Sequence, residues 1–268
     1  MASRISCNGV QLAVEDSGGG GATVLFSHGL LYSLRMWDAQ IPELRPRFRC
    51  VAYDHRGQGE SEAPATGLDM DTLTEDAAAL IGVLGLGPVH FIGMSMGGFV
   101  GMRLAARRPE LVRSLILIDT SAGPEPAENI PRYRRLEWVA HWFGTWPVAS
   151  RVQAIMHGAS ARKDPARAAD LRAWRDRLLR ADAVAMNRAV EGVLTRDSAR
   201  PLLARIRCPT LVMVGEEDTA TVPARSEEIA AGISGARLVR IPRAGHMSPI
   251  DAPAAVSTEL RGFLEAQR

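Results

Sequence analysis

Residues 89–98 (VHFIGMSMGG) constrain this chain more tightly than any other stretch. Val89, Phe91 and Ile92 supply an apolar run long enough for a short buried strand. Gly93-Met94-Ser95-Met96-Gly97 then matches G-x-S-x-G, and residues 98–108 carry helical spacing with Val100, Leu104 and Ala105 on one face. This strand–turn–helix context separates a nucleophile elbow from a glycine-rich turn that happens to contain a serine. A serine on so sharp a turn needs strained backbone, and side chains at positions 93 and 97 would collide with the neighbouring strand and helix. The turn lifts the Ser95 hydroxyl above the sheet. It also aims the first N–H groups of the helix at any anion that forms beside that hydroxyl.

An elbow needs a sheet around it, and the chain is long enough to build one. Its 268 residues can bury a full core, as one α/β domain or one domain carrying an insertion. A hydrophobic content of 46% and a charged content of 23% suit an ordinary soluble enzyme. With a formal net charge of +2 there is no general electrostatic reason to bind nucleic acid. The start, MASRISCNGV, lacks the apolar core of a signal peptide, and no run reaches membrane-spanning length, so no membrane partner is expected. Cys7, Cys50 and Cys208 are odd in number and widely spaced with no C-x-x-C, and Cys50 and Cys208 stand just before strand-like runs, where a reduced, buried thiol is expected; a cytoplasmic location fits this pattern.

Taken in order, residues 5–7 and 10–15 read as two strands around an Asn8-Gly9 turn. A buried strand over 22–27 runs into His28-Gly29-Leu30. Residues 36–44 suggest a short helix that Pro42 makes brief or irregular. A strand at 50–53 ends in DHRGQGES (54–61), and 72–84 has helical spacing with Glu75 and Asp76 in its early turns. After the elbow come strands at 115–118, 210–214 and 237–241, then an amphipathic helix at 254–264. Apolar strands alternating with helices imply a parallel sheet covered on both faces.

Residues 121–199 break that rhythm. They hold no strand-like run, contain Trp138, Trp142, Trp146 and Trp174, and include the arginine-rich LRAWRDRLLR at 171–180. We read them as a helical lid inserted after the sixth strand, introduced by Pro124, Pro126 and Pro131. The domain division is therefore a core of 1–120 and 200–268 with a cap of 121–199. A lid presents an apolar underside to something, so at least one tryptophan is expected to line a pocket, with Trp138 and Trp142 as the candidates. The arginine-rich helix reads first as a solvated face.

Acyl transfer by a serine needs a base, an orienter for that base, and donors for the oxyanion. The elbow predicts these at the carboxyl ends of other strands, in the order Ser, then Asp or Glu, then His. His246 lies between the last strand and the last helix, flanked by Gly245 and Pro249, and is the expected general base. His90 belongs to the elbow strand and reads as structural. Asp218 follows the strand at 210–214 and can accept from the second ring nitrogen of His246. Asp119, which closes the strand at 115–118, is its rival. Glu216 and Glu217 read as solvated or salt-bridged. For the oxyanion, the backbone N–H of Met96 is one expected donor and that of Leu30 the other. His28 and Gly29 shape the latter turn and are candidates for substrate contact. No metal ligand set and no cofactor requirement is apparent.

With His28-Gly29, residues 54–61, the elbow, Asp218 and His246 in register, the chain resembles the α/β-hydrolase superfamily over nearly its whole length outside the lid. The resemblance implies an eight-stranded, mostly parallel sheet with helices on both faces and a lid after strand six. It supports Ser95, Asp218 and His246 as the triad and Leu30 and Met96 as the oxyanion hole. Within the superfamily, MWDAQIP (36–42), the Met-Ser-Met-Gly-Gly elbow and DTATVP (218–223) are most similar to 3-oxoadipate enol-lactonases and related small esterases. The family's usual proline after the acid is Thr219 here.

The expected activity is cleavage of a small-molecule ester or lactone through an acyl-enzyme, with an acid limb in kcat/KM near the ordinary histidine range of about 6–7. Ser95 at the elbow removes the epoxide hydrolases and haloalkane dehalogenases, which use aspartate there. Three alternatives stay open: a C–C hydrolase of ring-cleavage products, a cofactor-free perhydrolase, and a slow-turnover ligand receptor on the same scaffold. The lid's aromatic content favours an apolar group, whereas its arginines could clamp a substrate carboxylate. Nothing in the sequence specifies an oligomeric state.

Overall fold

Each apolar run becomes a strand of one eight-stranded sheet in the computed structural model, which describes residues 2–267. The sheet opens with β1 (Ser3–Cys7) and β2 (Val10–Asp16), an antiparallel hairpin. Its turn holds Asn8 at φ 46° and Gly9 at φ 72°, the left-handed pair that a two-residue hairpin requires. Then come β3 (Thr23–Ser27), β4 (Arg49–Tyr53), β5 (Val89–Met94), β6 (Val112–Ile118), β7 (Thr210–Gly215) and β8 (Arg237–Ile241). The strand order is β1-β2-β4-β3-β5-β6-β7-β8. β2 meets β4 antiparallel, and every pairing beyond β4 is parallel.

Side-chain alternation along the central strands divides the interior into two cores. Leu25, Phe91, Leu115, Leu117 and Val212 face α2 (Met70–Val83) and α3 (Met96–Arg107), sharing a cluster with Leu73, Leu80, Val100 and Leu104. Val24, Phe26, Ile92, Ile116 and Met213 face the other side, where Trp37, Leu44, Val256 and Leu260 pack. Residues 36–44 are not one helix. A 3-10 turn at Leu34–Trp37, capped by the Ser33 hydroxyl, precedes α1 (Gln40–Leu44). Pro42 falls in the first turn of α1, where its missing N–H has no intrahelical partner to lose.

Between β6 and β7 the chain forms α4 (Ile130–Phe143), α5 (Ala149–Met156), α6 (Ala159–Lys163), α7 (Ala168–Arg180) and α8 (Ala183–Leu194). It returns through α9 (Arg200–Leu203) and finishes with α10 (Pro223–Gly232), α11 (Ser248–Asp251) and α12 (Pro253–Glu265). No helix among the described residues is long and apolar enough to cross a membrane.

The topology itself locates a crevice. β3 has β4 on one side and β5 on the other, so the chain reverses its direction of winding there. Loops leaving the carboxyl ends of β3 and β5 therefore diverge to opposite faces and open a gap between them, the usual ligand position in open α/β sheets. The β3 loop carries Leu30, and the β5 loop is the elbow.

Glycine is required where backbones touch. A β-carbon at Gly93 would overlap the Gly97 carbonyl, and one at Gly97 would overlap the carbonyl of Ser27 on β3. Neither obstacle is a side chain that could swing away. Gly262, by contrast, is exposed inside α12 with nothing near its missing β-carbon. Gly97→Ala should therefore cost about 3 kcal/mol or more in chemical denaturation. Gly262→Ala should add about 0.5–1 kcal/mol, because alanine loses less backbone entropy in a helix. Equal effects from the two substitutions would refute the close backbone packing at the elbow.

Candidate active site

Ser95 sits at φ 50°, ψ −111°, a conformation that a non-glycine residue adopts only under strain. Surrounding bonds hold it there. Its N–H donates to Ile118 O of β6 (2.9 Å), and its carbonyl accepts from the Thr120 hydroxyl (2.7 Å) and from Gly98 N–H (2.8 Å). The side chain is thus free of capping duty at the start of α3 and points to His246, with Oγ 2.9 Å from Nε2. The other ring nitrogen, Nδ1, lies 2.9 Å from Asp218 Oδ2. Ser95, Asp218 and His246 are all buried.

Asp218 is anchored by its own loop. Its Oδ1 accepts the N–H groups of Ala220 (2.8 Å) and Thr221 (2.9 Å), and its Oδ2 accepts the Thr221 hydroxyl (2.8 Å). That hydroxyl also lies 3.2 Å from His246 Nδ1. Backbone donors therefore orient the carboxylate although Thr219 stands where the resembled family has proline. With Oδ2 presented to Nδ1, the ring carries its proton on Nδ1, which leaves Nε2 as the acceptor facing Ser95. Burial works against a charged ring. The charge and hydrogen bond of Asp218, joined by the charges of Asp119 and Asp251, outweigh it and hold the His246 pKa above its ordinary 6.5.

Asp119, the rival acid, has another task. Its Oδ1 accepts Gly215 N–H (2.8 Å) and its Oδ2 accepts Ser248 N–H (3.0 Å), so it ties the end of β7 to the loop after His246. Burial, and next the Asp218 carboxylate, push its pKa above the usual carboxylate range. Glu217 is partly exposed, as expected, and its oxygens also accept Ser160 N–H (2.8 Å) and the Ser160 hydroxyl, pinning the start of α6. His90 pairs with the Ser114 hydroxyl (2.7 Å) inside the sheet, and burial lowers its pKa to about 4.

The β3 loop is fixed by a chain of buried polar groups. His28 Nε2 accepts His55 N–H (3.1 Å), so its proton is on Nδ1, which donates to Gly29 O (2.7 Å). Burial lowers the His28 pKa, consistent with a neutral ring. Fixing the Gly29 carbonyl also fixes the Leu30 N–H, because the two belong to one planar trans peptide and point opposite ways. Gln58, from the DHRGQGES stretch, accepts Leu31 N–H (3.0 Å) and donates to Met96 Sδ (3.5 Å), spanning the two loops. Neither Leu30 N–H nor Met96 N–H has an acceptor among the described residues. His28 and Gly29 do not line the cavity described next. They are second in line behind Leu30, because a β-carbon at Gly29 would strike Met94 Sδ.

Ser95 and His246 open into a cavity of about 140 Å³. Leu30, Phe99 and Thr221 contribute from the loops and α3, and the rest of the wall comes mainly from α4, α5 and α8. The expectation that a tryptophan lines it is wrong. Trp138 and Trp142 are 59% and 67% exposed, Trp146 is exposed as well, and Trp174 is buried against His157. From α4 the cavity takes Tyr133, Leu136, Glu137 and Ala140 instead. That i, i+3, i+4, i+7 stripe lies on the opposite side from the tryptophans.

Two further features were not apparent from the sequence. Arg196 enters the cavity wall from just beyond α8, paired with Glu125 at 3.1 Å. Asp251, in α11, receives His157 Nδ1 (2.7 Å) on Oδ1, and both Gly158 N–H and Gly245 N–H (2.8 Å each) on Oδ2. It thereby bolts the α5–α6 junction to the residue before His246. Backbones touch there, since β-carbons at Gly158 and Gly245 would each overlap the other's chain. Cys7 and Cys50 are buried free thiols, the latter pushed up to about 12 by burial, whereas the free thiol Cys208 is only half-buried because it lies in the loop before β7. No cluster of three or more His, Cys, Asp or Glu among the described residues is placed to hold a metal ion.

A family model described as "alpha/beta hydrolase fold" matches residues 22–253. Among solved structures, the enol-lactonase from Burkholderia xenovorans LB400 superposes with a TM-score of 0.90 at 30% identity, covering 98% of this chain and 100% of that one. A thermophilic esterase from Thermogutta terrifontis gives 0.90 at 31% identity over 100% and 99%. A curated relative named "Putative carbamate hydrolase RutD" from Agrobacterium fabrum is 30% identical over 256 residues, 90% of this chain and 92% of that protein.

The bolt at Asp251 is testable by itself. Asp251→Asn replaces one acceptor oxygen with a donor that faces N–H groups, and each donor left unsatisfied costs about 1–3 kcal/mol. Amide exchange at Gly158 and Gly245 should accelerate well beyond the change in global unfolding. Exchange at those two amides that merely tracks global stability would show that Asp251 does not hold this junction.

Proposed function

The chain belongs to the α/β-hydrolase family, close to enol-lactonase-like esterases, and on that basis we propose that it cleaves carboxylic esters or lactones through an acyl-enzyme on Ser95. The observation that carries this reading is the 2.9 Å contact of Ser95 Oγ with His246 Nε2 at the floor of an apolar cavity, backed by Asp218.

In the first step Ser95 Oγ attacks the substrate carbonyl carbon while its proton passes to His246 Nε2. Asp218 stabilises the imidazolium and keeps the ring in register; it does not itself take the proton. The carbonyl oxygen, now an alkoxide, is received by the N–H groups of Leu30 and Met96. Each such donor is worth about 3–4 kcal/mol at the transition state. Collapse breaks the C–O bond to the leaving group, which takes the proton back from Nε2. A water then gives its proton to His246 and attacks the Ser95 ester, and the second collapse returns the proton to Oγ and releases the acid. Residues 121–199 act as the cap that closes this site over the core formed by 1–120 and 200–268. Support comes from α4, α5, α7 and α8, which supply most of the cavity's roof.

Ser95→Ala should lower kcat/KM on an activated ester by about 10⁴-fold or more, and Asp218→Asn by about 10³–10⁴-fold. Retention of full activity by Ser95→Ala would sink the proposal. The pH profile gives a second check. A histidine pKa raised above 6.5 means that the base is lost to protonation at a higher pH than usual. The acid limb of kcat/KM should accordingly have its midpoint above 6.5 and move down in Asp218→Asn, which removes the carboxylate charge that supports the imidazolium. A limb below 6.5, or one unmoved by the substitution, would contradict the assignment of His246 as base.

A further inference from the structure

Among the described residues the cavity wall carries one guanidinium and no ammonium, and that guanidinium is already neutralised. Arg196 and Glu125 side chains are 2% and 10% exposed and lie 3.1 Å apart. Arg196 also donates to the carbonyls of Val193 (2.8 Å) and Gly123 (3.2 Å) and to the Ser121 hydroxyl (3.3 Å), and its plane rests 4.3 Å from the Phe99 ring centroid. Four of its N–H groups are spent on protein acceptors, and its charge is cancelled before any ligand arrives. Glu125 is satisfied in turn, its second oxygen receiving Asn129 Nδ2 (3.0 Å).

The other acidic group on the wall is Glu137, half-buried and without an ion-pair partner among the described residues. Burial and then the neighbouring Glu191 push its pKa up to about 7, so it adds negative charge or none. The arginines of α7 do not reach the cavity. Arg177 stacks 4.6 Å over the Tyr32 ring in an adjoining cleft beyond Leu31 and Met186, where Arg180 also lies. An anionic tail inside the cavity would thus be stripped of water with no free cation among the described residues to meet it, whereas the remaining wall is mostly apolar, with Tyr133, Thr145 and Asn187 as neutral polar members.

Resting on the ester-hydrolase reading, we propose that the cavity beside Ser95 admits an uncharged apolar group, and that the Arg196–Glu125 pair makes the site discriminate against carboxylated substrates. Size follows from volume. The cavity of about 140 Å³ is close to the roughly 150 Å³ apolar cavity that takes a benzene molecule, so the group it accepts is a phenyl ring or a short aliphatic chain. Discrimination here is by exclusion, since the guanidinium that could recognise a carboxylate is engaged with Glu125 and with protein acceptors.

The test compares two esters of equal length, p-nitrophenyl valerate and p-nitrophenyl hemiglutarate, with p-nitrophenyl benzoate and dodecanoate as size probes. The wild-type protein should prefer valerate over hemiglutarate by about 100-fold in kcat/KM, turn over benzoate, and lose at least about tenfold on dodecanoate relative to valerate. Glu125→Gln removes the cancelling charge and leaves Arg196 available, so the valerate preference should shrink by about tenfold or more. If that variant does not fold, the wild-type ratios decide alone. Hemiglutarate hydrolysed within threefold of valerate would overturn the proposal. So would a folded Glu125→Gln protein with an unchanged ratio. A hemiglutarate preference that disappears in Arg177→Ala would overturn it in favour of the adjoining cleft. Failure to hydrolyse any of the four esters would instead overturn the ester-hydrolase reading on which the proposal rests.

Discussion

The left-handed backbone at Ser95 is the constraint around which the other parts are arranged. A strained turn persists only where its surroundings leave no relaxed alternative, and here they come from the two strands that flank β5. β6 supplies the carbonyl of Ile118 to the Ser95 N–H, Thr120 just beyond β6 supplies a donor to the Ser95 carbonyl, and the β3 backbone presses against Gly97. The two glycines are therefore consequences of sheet geometry. With strands at ordinary parallel spacing and a helix starting directly at residue 96, there is no room for a β-carbon at either position. The reward for this packing is a hydroxyl that caps nothing and faces the loop of β8.

That loop is governed by three buried carboxylates with separate tasks. Asp218 meets the ring of His246, Asp119 holds the N–H of Ser248 after it, and Asp251 holds the N–H of Gly245 before it. The histidine is located from its side chain and from both flanks. All three charges also favour the protonated ring, which raises its pKa against the opposing pull of burial. Positioning and basicity thus arise from the same groups. Asp251 extends the arrangement outward, because the oxygen that holds Gly245 also holds Gly158 at the start of α6. The helical segment over the site and the histidine within it share one fastening.

How much of this could be read from the amino-acid order depends on whether a local rule governed the residue. The strands were legible because doubly covered parallel strands are continuous apolar runs, and the elbow because its glycines have no substitute. Ser95, Asp218 and His246 come together as their positions at strand ends implied. Thr221 was hidden since a hydroxyl three residues from an acid has no signature of its own. Trp138 and Trp142 were misplaced for a physical reason. α4 has two apolar stripes, one aromatic and one built from Tyr133, Leu136 and Ala140, and periodicity cannot say which of two such faces turns inward. Arg196 has no local signature, since a single arginine after a helix reads like any solvated one, and the dense arginines of 171–180 mark a solvated face rather than the site. Asp251 and Glu217 act through backbone N–H groups more than 50 residues away, and no local pattern reports that.

The charge arrangement and the catalytic geometry meet at one chemical claim: Ser95 is the nucleophile, made reactive by a neutral His246. Mass-spectrometric mapping after reaction with a fluorophosphonate, repeated across a pH series, tests it most directly. The account predicts one adduct per chain, on the peptide containing Ser95, forming at a rate that declines as pH falls through a midpoint above 6.5. Labelling at another residue, or continued ester hydrolysis by a protein whose Ser95 is fully modified, would contradict it.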